Sequence, residues 1–272
     1  MKVYFVSLGC DKNRVDSEQM LGLLRERGME ITDDETQADA AVVNTCGFIL
    51  DAQEESVQAI LEMAELKETA NLKSLIVTGC LAERYTEEIY KEIPEVDGIL
   101  GTNSYDEIVT AIETTLRGTR YSCFKPLTGI PKVSARRMIS PPFHYGYLKI
   151  AEGCEKHCTY CIIPKMRGSY RSVPMEELEM QARQLVEDGV RELVLVAQES
   201  TLYGVDLYGE KKLPELIRRL SAIEDLAWIR ILYCYPEEIT PELIQVIKEN
   251  PKVCHYLDLP IQHVQDEILK RM

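Results

Sequence analysis

Cys154, Cys158 and Cys161 stand within eight residues in the run EGCEKHCTYCIIP, and no fourth cysteine lies near them. Thiolates at this spacing can reach one metal centre. A cubane 4Fe–4S cluster on these three would be one protein ligand short of its usual four. The iron left open could then bind and activate a small molecule, as open positions do at catalytic metal sites. A structural zinc site is the alternative, although it would more naturally show two paired C-x2-C knuckles or a mixture of Cys and His. His157 could serve as its fourth ligand, but between two ligand cysteines its side chain is expected to point away from their centre. Disulfides are not expected, since nine cysteines stand in a chain for which no secretory leader is expected.

A second set of cysteines is dispersed. Cys10, Cys46 and Cys80 each end an apolar, strand-like run: VYFVSLGC, DAAVVNTC and SLIVTGC. After Cys46, the residues Val57, Ile60, Leu61 and Ala64 recur at helical spacing and predict one buried helix face. Strands and helices alternating at this length predict βαβ units and a parallel sheet. Every strand of such a sheet ends on one edge, and ligands bind beyond those ends. The three cysteines are therefore expected to meet in space. Gly9, Gly47 and Gly79 beside them let the backbone turn tightly and approach a cofactor. The competing reading is that each cysteine is a small buried hydrophobe. Cys123, Cys234 and Cys254 follow no ligand spacing and read as packing residues or free thiols.

The elements that must position these groups divide the chain. A length of 272 predicts about two domains, and 45% apolar with 28% charged residues is ordinary for a soluble protein. No apolar run approaches a membrane span, and the first strand starts at the N-terminus, so a cytoplasmic protein with reduced thiols is expected. Residues 1–120 hold 24 of the 45 acidic side chains but only 11 of the 31 basic ones, and so carry nearly all of the net charge of −14. That disfavours phosphate-neutralising nucleic-acid binding by this portion and suits a basic protein partner better. Residues 114–151 lack Asp and Glu but carry Arg117, Arg120, Lys125, Lys132, Arg136, Arg137 and Lys149, a basic flank read as solvated. We expect a domain at 1–120, a linker at 121–141 and a second domain at 142–272. Ser104 with Glu107 suggests a capping box for a helix burying Tyr105, Ile108, Val109, Ile112 and Leu116. In the second domain, YGYLKIAEGC, ELVLVAQ, WIRILYC and VCHYLDLP read as strands with helices near 174–188, from Pro214 and from Thr240. This is a barrel-like (β/α) succession with functional groups at strand ends. About four strands are too few to close a barrel.

The triplet with Tyr160 before its last cysteine resembles the radical S-adenosylmethionine superfamily. An upstream domain with three strand-end cysteines is similar to the methylthiotransferases within it. The runs SLGCDKNRVDSE, NTCGFILDAQEES, VTGCL and EGCEKHCTYCIIPKMRG resemble the RimO-type branch, which modifies a small-subunit ribosomal protein. Asp11 departs from the proline more usual there. The resemblance implies an α/β fold: an N-terminal Rossmann-like parallel domain followed by an incomplete radical-SAM (β/α) barrel. The rest of the barrel and a C-terminal β domain of TRAM type, usual in the family, are not expected within 272 residues.

The resemblance also implies two 4Fe–4S clusters. Cys154, Cys158 and Cys161 would hold the one that cleaves S-adenosylmethionine to a 5′-deoxyadenosyl radical. Cys10, Cys46 and Cys80 would hold the one that presents sulfur, with a second S-adenosylmethionine giving the methyl group. Methylthiolation of an aspartate β-carbon in a basic ribosomal protein follows, with an external electron donor and no membrane. Tyr160, through its backbone, is expected against adenine, and Gln198 and Glu199 at the amino group; the latter two could equally be polar strand ends. Lys165, Arg167 and Arg171 read as solvated, and Gln262 and His263 as polar residues at the last strand's end. The alternatives are a methylthiotransferase acting on a tRNA adenosine, an iron–sulfur electron-transfer or scaffold protein, and a zinc-stabilised interaction module.

Overall fold

A computed structural model describes residues 1–131, 133 and 136–272, so Lys132 of the basic flank lies outside the described residues. The chain forms two compact units: Met1–Met138 together with Lys165–Arg167, and Ile139–Pro164 together with Gly168–Met272.

The first unit is a six-stranded sheet with helices on both faces. Its strands are β1 (Lys2–Ser7), β2 (Glu30–Thr32), β3 (Ala40–Thr45), β4 (Ser74–Gly79), β5 (Gly98–Leu100) and β6 (Tyr121–Cys123). They lie in the order β2-β1-β3-β4-β5-β6, and every neighbouring pair is parallel. The helices are α1 (Asp11–Glu26), α2 (Leu50–Thr69), α3 (Cys80–Arg84), α4 (Thr86–Glu92) and α5 (Ile108–Thr115). β3 and β4 are buried at every residue, because both of their faces are covered. Ala41, Val43, Leu75 and Val77 pack with Ile60, Met63 and Ala64 of α2 and Leu81 and Ile89 of α3 and α4. The alternate residues Val42 and Ile76 pack with Met20 and Leu24 of α1 and Ile108 and Ile112 of α5. This period-2 alternation supplies each layer from the same strands.

Four expectations need correction here. Ile60 and Ala64 are buried as expected, but Val57 and Leu61 are 39% and 41% exposed; Ser56 and Met63 complete the inner face instead. Ser104 makes no capping bond: its hydroxyl accepts the Lys125 N–H at 2.9 Å, while Glu107 pairs with the Lys125 ammonium. The hydrophobic face of that helix is buried, with Val109 and Leu116 at its margin. Residues 121–123, expected in a linker, form the edge strand β6. The basic flank is not simply solvated: Arg137 pairs with the buried Glu18, Lys125 with Asp106 and Glu107, and Lys149 with Glu152.

The second unit contains β7 (Tyr145–Lys149), β8 (Ala151–Glu152), β9 (Arg171–Ser172), β10 (Glu192–Val196), β11 (Trp228–Ile231) and β12 (Val253–Leu257). Its helices are α6 (Ile163–Arg167, whose last three residues count with the first unit), α7 (Met175–Glu187), α8 (Val205–Tyr208), α9 (Leu213–Ser221), α10 (Pro241–Glu249) and α11 (Asp266–Leu269). The parallel sheet β12-β11-β10-β7 is open, and α7, α9 and α10 connect its neighbours in turn. Thr240 caps α10 by accepting the Leu243 N–H at 3.2 Å, with Pro241 at the first helical position. The antiparallel pair β8–β9 closes the base of the loop 153–170, which carries the cysteine triplet. No helix among the described residues is long and apolar enough to cross a membrane.

Candidate metal centres

In the first unit the three cysteines follow three adjacent strands. Cys10 is the N-cap of α1 beyond β1, Cys46 follows β3 directly, and Cys80 opens α3 after β4. The strand order reverses direction between β1 and β3, the switch point at which open α/β sheets bind ligands. Two glycines allow the segments to close up. A Cβ at Gly9, where φ is +86°, would lie 2.9 Å from Cys46 Cβ and 3.3 Å from its Sγ. A Cβ at Gly47 would lie 2.9 Å from the Cys80 carbonyl carbon and oxygen.

Polar contacts fix the strand ends. Asn13 is fully buried, and its Nδ2 donates to the carbonyls of Leu8 at 3.1 Å and Thr45 at 2.8 Å. It thereby ties the end of β1 to the end of β3. The Cys46 N–H donates to Ser56 Oγ at 2.9 Å, anchoring that cysteine to α2. Burial pushes the Cys46 and Cys80 thiols up, and charge on neighbouring cysteines raises both further, while Arg167 opposes this. Arg167 is 2% exposed rather than solvated, and its guanidinium lies against Cys80, Asp16 and Asn13. Sequence spacing does not single out Asn13, Asp16 or Arg167 as site residues, although all three fall inside the motif runs.

In the second unit, the Cys154 N–H donates to the Gly168 carbonyl at 3.1 Å and the Cys161 N–H to that of Cys158 at 2.9 Å. Burial raises the Cys154 thiol, and charge on Cys161, Cys158 and Glu199 adds to the effect. His157 is exposed, with a left-handed backbone (φ 51°). Lys156 pairs with Glu238 and lies 4.5 Å from the centroid of the Tyr235 ring, which holds the loop.

The other candidates fall as follows. The Tyr160 ring is 55% exposed, and its hydroxyl donates to Gln262 Oε1 at 2.6 Å. Gln198 Nε2 donates to Glu152 Oε1 at 2.8 Å, and Glu152 pairs in turn with Lys149 at 2.8 Å. Gln198 Oε1 is buried without a hydrogen-bond partner among the described residues. Glu199 is buried, which raises its carboxyl; its Oε1 accepts from the Thr201 N–H at 2.9 Å, the Thr201 hydroxyl and the Tyr235 N–H at 3.4 Å. Arg171 is 7% exposed, also not solvated, whereas Lys165 is exposed. His263 Nδ1 accepts the Gln265 N–H. Cys234 is buried, its thiol pushed up to about 12, whereas Cys123 and Cys254 are half-buried.

All nine cysteines are free. Among the described residues, no three His, Cys, Asp or Glu side chains already stand in metal-holding geometry. The donor chemistry nonetheless fits a soft cluster: burial disfavours bare thiolates at Cys46, Cys80 and Cys154, so a bound cation would stabilise the charged form there. The orphaned Gln198 acceptor fits an ammonium donor on a ligand.

Residues 2–101 match the family described as uncharacterized protein family UPF0004, and residues 148–272 match the radical SAM superfamily. The whole chain is 62% identical to the ribosomal protein uS12 methylthiotransferase RimO of Lachnoclostridium phytofermentans, and covers 62% of that protein. Over its whole length the chain is thus similar to RimO-type methylthiotransferases. It is also 51% identical, over 98% of its length, to the RimO of Desulforamulus reducens, of which it covers 60%. The chain thus spans about three fifths of the length of these relatives. In fold it is similar to TsrM of Kitasatospora setae, a radical S-adenosylmethionine methyltransferase solved with cobalamin and a [4Fe-4S] cluster. That match has a TM-score of 0.69 at 10% identity over 98% of this chain and 60% of the other. The cobalamin-dependent S-adenosylmethionine radical enzyme OxsB matches with a TM-score of 0.61 at 12% identity, over 99% of this chain and 45% of the other.

Proposed function

We propose that the chain carries the radical-forming and sulfur-presenting parts of an enzyme that places a methylthio group on an aspartate β-carbon of small-subunit ribosomal protein twelve. The observation that carries this reading is two separate sets of three free cysteines, each one thiolate short of a fully ligated 4Fe–4S cluster. They occur in a chain 62% identical to a uS12 methylthiotransferase. Cys154, Cys158 and Cys161 would hold one cluster and Cys10, Cys46 and Cys80 the other; when bound, these supply reductive cleavage of S-adenosylmethionine and a site for the transferred sulfur.

The chain's own residues bind and orient. Gln198 Oε1 would accept a hydrogen bond from the S-adenosylmethionine amino group, with Glu152 holding the amide nitrogen and so leaving the oxygen to the ligand. Glu199 positions this strand end through Thr201 and Tyr235. The Tyr160 N–H and carbonyl make no hydrogen bond among the described residues and can read the adenine edge. Lys156 and Glu238 hold the cysteine loop. The acidic surface of residues 1–120 suits a basic ribosomal protein, which sets the reaction in the cytoplasm with an external electron donor.

Mass spectrometry of protein twelve and of digested tRNA, from cells with and without the full-length gene, tests the reading. We expect the methylthio group to vanish from the ribosomal protein only. Loss of a modified tRNA nucleoside with the ribosomal protein unchanged would overturn it.

A further inference from the structure

Arg167 is 2% exposed, and the groups around it are as deeply buried: Asp16 at 4%, Asn13 at 0% and Cys80 at 6%. Its Nη1 donates to Asp16 Oδ2 at 2.8 Å, its Nη2 to Asn13 Oδ1, and its Nε to Cys80 Sγ at 3.4 Å. A buried guanidinium is costly unless its fork of donors is matched. Here the carboxylate and amide hold the fork so that the Nε–H faces the sulfur. Asn13 is itself clamped, because its Nδ2 is bound to Leu8 and Thr45. The sulfur therefore faces a donor that cannot swing away.

We propose that Arg167 is a positioning residue for the sulfur-presenting site. Its fixed N–H···S contact holds Cys80 Sγ in place and, with a cluster bound, draws electron density from that sulfur, raising the cluster's reduction potential. Hydrogen bonds to ligand sulfurs are one of the levers by which proteins set such potentials. Asp16 acts behind Arg167 by fixing its orientation. The proposal rests on the reading that Cys10, Cys46 and Cys80 hold a cluster.

The test uses a full-length protein with Cys154, Cys158 and Cys161 changed to Ala, so that only the first site takes iron. Iron and sulfide are counted after anaerobic reconstitution, and the midpoint potential is measured by redox titration monitored by electron paramagnetic resonance. Arg167→Gln should shift the potential downward. Arg167→Lys should shift it less, and Asp16→Asn should shift it in the same direction. Unchanged potentials across these variants, with iron bound as in the parent, would overturn the role of Arg167 alone. A parent that binds no iron would instead sink the cluster reading and the proposal with it. If Arg167→Gln fails to fold, Arg167→Lys and Asp16→Asn give the same readout.

Discussion

A methyl group at Gly9 would press on Cys46, and one at Gly47 on the peptide of Cys80. The approach of these strand-end segments thus depends on two missing side chains. Gly9→Ala also places a substituted residue at φ +86°, which costs about 1–2 kcal/mol. We predict that either substitution lowers the iron bound by the first unit and leaves that at Cys154, Cys158 and Cys161 unchanged, as measured by iron counts in backgrounds lacking one triad. At the second site the buried Gln198 acceptor makes a sharper prediction. Gln198→Met removes the acceptor at similar volume and should weaken S-adenosylmethionine about tenfold, or about 1.4 kcal/mol. Equilibrium dialysis showing unchanged affinity would remove Gln198 from the site.

At the scale of elements, Asp39 joins the starts of β1, β3 and β4. Its carboxylate accepts the Lys2 N–H and the Lys73 ammonium at 3.0 Å each, and its carbonyl accepts the Lys73 N–H at 2.9 Å. The Lys2 backbone bond, then Lys73, holds this carboxyl below the usual range. A depressed folded value means stability that is present above the unfolded pKa of about 3.9 and lost as pH falls through the folded one. Asp39→Asn should therefore cost on the order of 1 kcal/mol at neutral pH. In chemical denaturation the difference from the parent should fade below pH 3.9 or so; a difference constant with pH would refute the argument. The long elements were legible because β3 and β4 are covered on both faces and so read as unbroken apolar runs. β2, β5 and β6 have three residues each, too few to show a period. The inner face of α2 was half misread because Val57 and Leu61 share helical spacing with Ile60 and Ala64 but point outward. The burial of Arg167 is not legible in the sequence for another reason. Its partners Asp16 and Asn13 lie 151 and 154 residues away in sequence, and no local pattern announces a contact made only by folding.

For the whole molecule, one candidate set of three cysteines falls in each unit, and the two sets are assigned separate work. Radical formation should follow Cys154, Cys158 and Cys161, and sulfur insertion should follow Cys10, Cys46 and Cys80. Replacing the first set with Ala should abolish 5′-deoxyadenosine, whereas replacing the second should leave it and stop methylthiolation. Equal loss of both activities in both variants would show that the division is wrong. The most direct test of the central claim is the iron and sulfide content of the anaerobically reconstituted chain and of its two triple-alanine variants. The account predicts about eight iron and eight sulfide in the parent and about four of each in either variant. Zinc without sulfide, or one variant that keeps the full parental iron, would contradict it.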